Sequence, residues 1–207
     1  LRFMIVARPA DLVKHGTSID QERQRLRTWH QTPGNEDLDV SVYNNLPRDE
    51  GGPAPGLVWA PRRQAEGEPF LAPFDRGEMT PLIVQKPEWD FTGSDTARVF
   101  ATIDQFGLPA VGFEMTDANV GPFTAFTKEY KGVQMAILLN DEVATAPRIN
   151  DVLPGRGIIQ GRFTDQEVDE LVTVLRSGSL LIKPILDNEE RVGATVGGEA
   201  MSRGKLS

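Results

Sequence analysis

The sequence predicts a two-lobed α+β fold, built from small mixed or antiparallel sheets with helices packed on one face. Three observations carry the prediction. Across 107–197, short apolar runs and helical periods follow one another with turn residues between them. Thr164-Asp165-Gln166-Glu167 is a capping box, and Val168, Leu171, Val172 and Leu175 then repeat at i, i+3, i+4 and i+7 on one helical face. An amino-terminal strand and helix are separated from this region by 35–90, which is rich in Pro, Gly and acidic residues and buries too little to form its own core.

In chain order, 2–7 reads as a strand with Phe3 and Ile5 on one face, interrupted at Pro9. Ser18-Ile19-Asp20-Gln21 is a second capping box; the helix it starts carries Ile19, Leu26 and Trp29 and ends at Pro33-Gly34. Within 35–90, apolar islands at 40–43, 57–60, 70–74 and 82–84 have the character of strands added to a neighbouring sheet. Residues 48–56 combine charge, paired glycines and prolines, and are expected to be the most mobile loop. A turn at Thr92-Gly93 leads into 97–106, where periodicity leaves strand and helix open.

Val111 and Phe113 alternate with Gly112 and Glu114, the pattern of a half-buried strand. Asp117 is the expected cap of a helix bearing Val120, Phe123, Phe126 and Tyr130, with its stop at Gly132. The apolar run 133–139 is a buried strand, and Asn140-Asp141 followed by Val143 makes a tight hairpin. Ile158 and Ile159 begin another strand. Beyond the capping-box helix, Gly178 is its stop, and 180–186 reads as an edge strand interrupted by Pro184.

Composition narrows the function. The formal net charge is −8, with 22 basic and 30 acidic residues interspersed, which argues against general affinity for nucleic acid or anionic lipid. There is no cysteine, hence no disulfide, thiolate metal site or cysteine nucleophile. The longest apolar run falls far short of the roughly 20 residues needed to span a bilayer. The chain begins inside an expected strand with no initiator methionine, and is expected to be a piece of a longer protein lying outside the membrane.

The motifs of chemistry are mostly missing. His15 and His30 have no metal-ligand spacing and read as surface or packed histidines. No Gly-x-Ser-x-Gly elbow is present, and Ser177-Gly178-Ser179 reads as a helix end. The glycines of 155–161 are wrongly spaced for a dinucleotide fingerprint and run into a strand. Asp165, Glu167, Asp169 and Glu170 complement a helix dipole, and Glu189-Glu190-Arg191 reads as an ion pair at a subdomain junction. Trp29, Trp59 and Trp89 are either packed or in contact with a bound polypeptide. No cofactor, metal or catalytic residue is assigned, and the chain is read as a non-enzyme.

The order of LLNDEVATAP, a strand ending at Gly161, the Thr-x-x-Glu helix, LRSGSL and EERVG resembles the first periplasmic domain of SecD, the accessory subunit of the bacterial Sec translocase. FTGSD at 91–95 resembles that family's Leu-Thr-Gly-acidic element, LRFMIV its early strand, and GGEAMSRGKLS the segment before its next membrane helix. The family usually has Asp-Gly where this chain has Asn140-Asp141, and nothing typical of it covers 51–81. The resemblance implies a ferredoxin-like base and an αβ head on the periplasmic side of the inner membrane. It divides the chain into 1–34 (base-proximal strand and helix), 35–90 (irregular insertion), 91–161 (head), 162–197 (return to the base) and 198–207 (pre-membrane tail). It further implies engagement of preprotein emerging from SecYEG, partnership with SecF, movement driven by proton flow through membrane parts, and hinges at Gly93 and Gly161. The alternative is a cell-envelope binding or adaptor module unrelated to translocation.

Overall fold

The computed structural model describes residues 1–64, 73–76, 79–160 and 163–176. The strands are β1 (Arg2–Val6), β2 (Leu57–Ala60), β3 (Thr80–Ile83), β4 (Thr96–Ile103), β5 (Pro109–Met115), β6 (Met135–Leu139), β7 (Glu142–Thr145) and β8 (Arg156–Ile159). The helices are α1 (Pro9–Val13), α2 (Ile19–His30), α3 (Val40–Asn44), α4 (Asp117–Glu129) and α5 (Asp165–Arg176). A five-stranded sheet runs in the order β2-β3-β1-β6-β7, and a three-stranded sheet in the order β4-β5-β8. Every pairing between these strands is antiparallel.

Each sheet carries helices on one face, as the sequence predicts, and strand alternation explains how. In the larger sheet Phe3, Ile5, Met135, Ile137 and Leu139 point into one core, shared with Val99, Val111, Phe113 and Ile159 of the smaller sheet. Phe123 of α4 joins the two sheets, its ring lying 5.7 Å from Phe3 and 5.6 Å from Phe113. Val168, Leu171 and Val172 of α5 complete that core, which is why the capping-box helix is amphipathic.

 On the β2–β3 side, the same face of the larger sheet presents Leu57, Trp59 and Ile83 to a second core with Leu12, Leu26, Val40 and Tyr43 from α1, α2 and α3.

The opposite face of the larger sheet closes on itself. Met4, Ala60, Leu82, Ala136, Leu138 and Val143 form a third cluster there. After β2 the chain crosses to the far side of the sheet, where Val143 N–H donates to Pro61 O at 2.8 Å and Arg63 N–H donates to Val143 O at 2.8 Å. Arg62 and Val143 pair there as a parallel bridge.

Local chemistry sets the element ends. Ser18 caps α2, accepting from Gln21 N–H at 3.2 Å while the Gln21 side chain accepts from Ser18 N–H at 2.9 Å. Thr164 and Glu167 make the same reciprocal pair at the start of α5. Asn140 (φ 51°) and Asp141 (φ 63°) are both left-handed, which defines a type I′ hairpin between β6 and β7.

Three expectations need revision and one open assignment is settled. The cap of α4 is Thr116, one residue earlier than expected, and Asp117 opens the helix, where its charge still complements the dipole. The open assignment over 97–106 resolves as strand β4, which pairs along its length with β5. In segment 35–90 the islands at 57–60 and 82–84 join a sheet as β2 and β3, as expected, but the island at 40–43 forms helix α3, capped by Asp39, rather than a strand. Residues 48–56, expected to be mobile, are anchored. The fully buried Glu22 carboxylate accepts from Arg48 Nη1 and Nη2 at 2.9 and 2.8 Å, from Ala54 N–H at 2.9 Å and from Thr17 Oγ1 at 2.8 Å. The expected strand at 180–186, the helix end at 177–179 and the Glu189-Glu190-Arg191 pair lie outside the described residues.

Candidate functional site

Sheet edges are where a fold of this kind is open to another chain, because an edge strand presents unpaired N–H and C=O groups. Two edges here are occupied. On β2, the Asn44 side chain donates through Nδ2 to Trp59 O at 2.8 Å and accepts from Trp59 N–H through Oδ1 at 2.8 Å. On β7, Pro61 and Arg63 take both backbone groups of Val143.

The edge of β4 is different. Asp104 N–H donates to Leu108 O at 2.8 Å, so Asp104 and Leu108 are a hydrogen-bonded pair and the neighbouring pair, Ile103 and Pro109, is a non-hydrogen-bonded one. Alternation then turns the backbone groups of Phe100 and Thr102 toward β5 and those of Val99, Ala101 and Ile103 outward. The carbonyl of Val99 accepts from Arg176 Nε at 3.0 Å, which fixes the phase. The outward groups of Ala101 and Ile103 meet no partner among the described residues.

Beyond this edge the β4–β5 hairpin ends in an apolar tip. Ile103 is 64% exposed, Phe106 76% and Leu108 49%. The tip is held in shape by Asp104, whose carboxylate accepts from Phe106 N–H at 2.8 Å and Leu108 N–H at 3.0 Å, while Asp104 N–H donates to Leu108 O at 2.8 Å. Gly107 takes φ +79° to close it. At the other end of the edge a cleft of about 240 Å³ is lined by Gly93, Thr96, Arg98, Val99 and Arg176. Sequence reasoning missed this surface because periodicity over 97–106 was ambiguous. The available signal was three large apolar residues around Asp-x-x-Gly at 104–107.

The residues singled out by sequence fall in separate places. Trp59 is 1% exposed, its ring inside the core formed with α2 and α3. Trp29 is half-buried, with its ring 5.2 Å from Tyr43. Trp89 is also half-buried, between Phe126 and Tyr130 at 5.9 Å each, with Lys86 Nζ 4.4 Å from its centroid. Gly93 is buried in a turn where Asp95 accepts from Thr92 N–H at 2.8 Å and from Asn119 Nδ2 at 2.9 Å. Gly161 lies outside the described residues. His30 stacks on Phe74 at 3.8 Å and His15 is half-buried.

A second recess, about 450 Å³, lies over the closed face of the larger sheet, with Met4, Val58, Leu82 and Leu138 below and Asn45, Asn140 and Glu142 at its rim. No cluster of three or more His, Cys, Asp or Glu suited to a metal occurs among the described residues. No helix among them is long and apolar enough to cross a membrane.

These features define an α+β domain of two antiparallel sheets whose β4 edge carries outward backbone groups without a partner among the described residues. A family model, SecDF, P1 head subdomain, matches residues 70–182, and the chain belongs to that family. The protein translocase subunit SecD of Rickettsia typhi is 33% identical over 179 residues, covering 86% of this chain and 31% of that protein. SecD of Aquifex aeolicus is 36% identical over 113 residues, 55% of this chain and 23% of the relative. SecDF of Thermus thermophilus is 35% identical over 114 residues, 55% of this chain and 16% of the relative. The chain thus spans a third or less of the length of these relatives. A solved structure of SecDF, a membrane component that enhances protein export, is 27% identical, covers 86% of this chain and 61% of that one, and has a TM-score of 0.44.

Proposed function

We propose that this chain is the periplasmic part of a SecD-type subunit of the protein-export machinery, and that it engages preprotein leaving the SecYEG channel. Its role is to hold and release, not to catalyse. The movement comes from proton flow through membrane parts of the longer protein, in partnership with SecF. The observation that carries this reading is the open β4 edge beside the apolar tip at Ile103, Phe106 and Leu108, in a fold whose β2 and β7 edges are occupied. Such a surface binds unfolded chain through backbone hydrogen bonds and apolar contact, with little demand on sequence. Of the three tryptophans, Trp29 and Trp89 are half-buried, whereas Trp59 is enclosed in the core.

In this reading the domain moves as one body relative to the membrane parts, because β6, inside the expected head, pairs with β1 and Phe3 shares a core with Phe113; Gly93 and Gly161, the hinges that the resemblance implies, then serve local adjustment, where glycine absorbs backbone rotation at low cost. The test is photo-crosslinking in membranes that hold a stalled preprotein, with the crosslinker placed in turn at exposed sites across the domain. Adducts to the preprotein are expected. A full set of positions with no adduct sinks the reading.

A further inference from the structure

We infer that the bound segment adds to the smaller sheet as a fourth strand along the outer edge of β4, pairing with Ala101 and Ile103. The occupant is an extended polypeptide with apolar residues at alternate positions and an acidic group at the end nearest Arg98 and Arg176. This rests on the preprotein-binding reading above and deepens it by naming the docking line.

The outward N–H and C=O groups of Ala101 and Ile103 are spaced one strand period apart, which is the repeat an incoming strand needs. Side chains on that line favour an apolar visitor. Ala101 and Ile103 are exposed, and Phe106 stands 76% exposed just beyond them. Asp104, the one acid at the tip, has its carboxylate engaged by the Phe106 and Leu108 amides.

Charge decides the direction and the partner. The far end of the line has two guanidinium groups. Arg176 holds the Val99 carbonyl, and the 67%-exposed Arg98 side chain lies 3.6 Å from Glu114 and 5.2 Å from the Phe100 ring centroid. A carboxylate on the visitor would meet the exposed face of the Arg98 guanidinium in competition with Glu114. A second copy of this chain is a poorer occupant, since two molecules of net charge −8 repel one another. The contrast with the two edges of the larger sheet is the strongest support. Asn44 and 61–63 block the β2 and β7 edges with dedicated hydrogen bonds, whereas on β4, the longest strand, the outward groups of Ala101 and Ile103 meet no partner among the described residues and lie beside exposed apolar side chains.

The test is fluorescence anisotropy of the 207-residue chain with a short labelled peptide of alternating valine and threonine ending in glutamate. Saturable binding is expected. It should weaken about tenfold when peptide amides facing the protein are N-methylated, and by a few-fold when the terminal glutamate is replaced by lysine. Ala101→Pro removes an outward donor without touching the β4–β5 ladder, and Ile103→Lys places a charge on the line; each should reduce binding about tenfold with the circular dichroism unchanged. Should Ala101→Pro fail to fold, Ile103→Lys carries the same test. Binding indifferent to N-methylation and to both substitutions overturns the docking line. Sedimentation showing that the chain pairs with itself, and that Ile103→Lys separates the copies, also overturns it. Preprotein crosslinks elsewhere on the domain with none at Ala101 reject this inference and leave the broader reading standing; no crosslink at any position rejects both.

Discussion

The Asn44 side chain makes the two backbone hydrogen bonds of Trp59 that a neighbouring strand would otherwise make, each at 2.8 Å. One amide thus closes the edge of β2 and ties α3 to the sheet. Asn44→Ala leaves a donor and an acceptor unsatisfied beside a buried tryptophan, and is expected to cost about 1–3 kcal/mol. Asn44→Asp keeps the acceptor but sets a charge against the Trp59 carbonyl. Urea unfolding and exchange of the Trp59 amide proton check both, with faster exchange expected in each.

Glu22 gives the domain an acid-sensitive joint. Burial pushes its carboxyl upward, but the hydrogen bonds from Arg48, Thr17 and the Ala54 amide outweigh this and hold it below the ordinary glutamate value. A depressed carboxyl contributes stability that is full above the unfolded-state value and lost as pH falls through the folded one. Thermal melts are therefore expected to be flat near neutrality and to fall below about pH 4.5. Glu22→Gln should lower the neutral-pH melting temperature and flatten part of this acid slope.

Two glycines separate rigid from yielding surroundings. A Cβ at Gly52 meets the backbone carbonyls of Leu46 and Pro47, which cannot move aside. At Gly112 it meets only the ring of Phe100 across the strand pair, which can swing outward. Gly52→Ala is expected to cost about 3 kcal/mol or more, and Gly112→Ala about 1 kcal/mol with a gain in Phe100 exposure. Denaturant midpoints and tyrosine- and tryptophan-independent proton shifts of Phe100 distinguish them.

Asp141, at φ 63°, occupies a position that glycine adopts without strain. Asp141→Gly is expected to stabilise the β6–β7 hairpin by about 0.5–1 kcal/mol, read as a higher melting temperature.

Local features were legible in the sequence. The caps at Ser18 and Thr164 and the turn at Asn140-Asp141 involve residues within a few positions of each other, so spacing alone reveals them. Glu22 was not legible, because among the charges of α2 nothing marks it for burial and its partner Arg48 is 26 residues away. The same distance effect turned 48–56 from an expected loop into an anchored turn. Asn44 and Trp59, 15 residues apart, look like an unrelated helix residue and strand residue until the sheet brings them together. The β4 edge was hidden for a different reason. A strand with only Val99 buried lacks the alternation that identifies strands, and the exposure that makes it a candidate surface also erased its signal.

The pairing of Val143 with 61–63 has a kinetic consequence. These partners are roughly 80 residues apart, and the strands β3, β1 and β6 must be laid side by side before the bridge can span them. Closure is therefore expected late in folding, after the strands between the two partners have been laid down, and long-range pairing of this kind is expected to slow folding. A chain emerging amino-terminus first would carry β2 and β3 without their seam until β7 arrives.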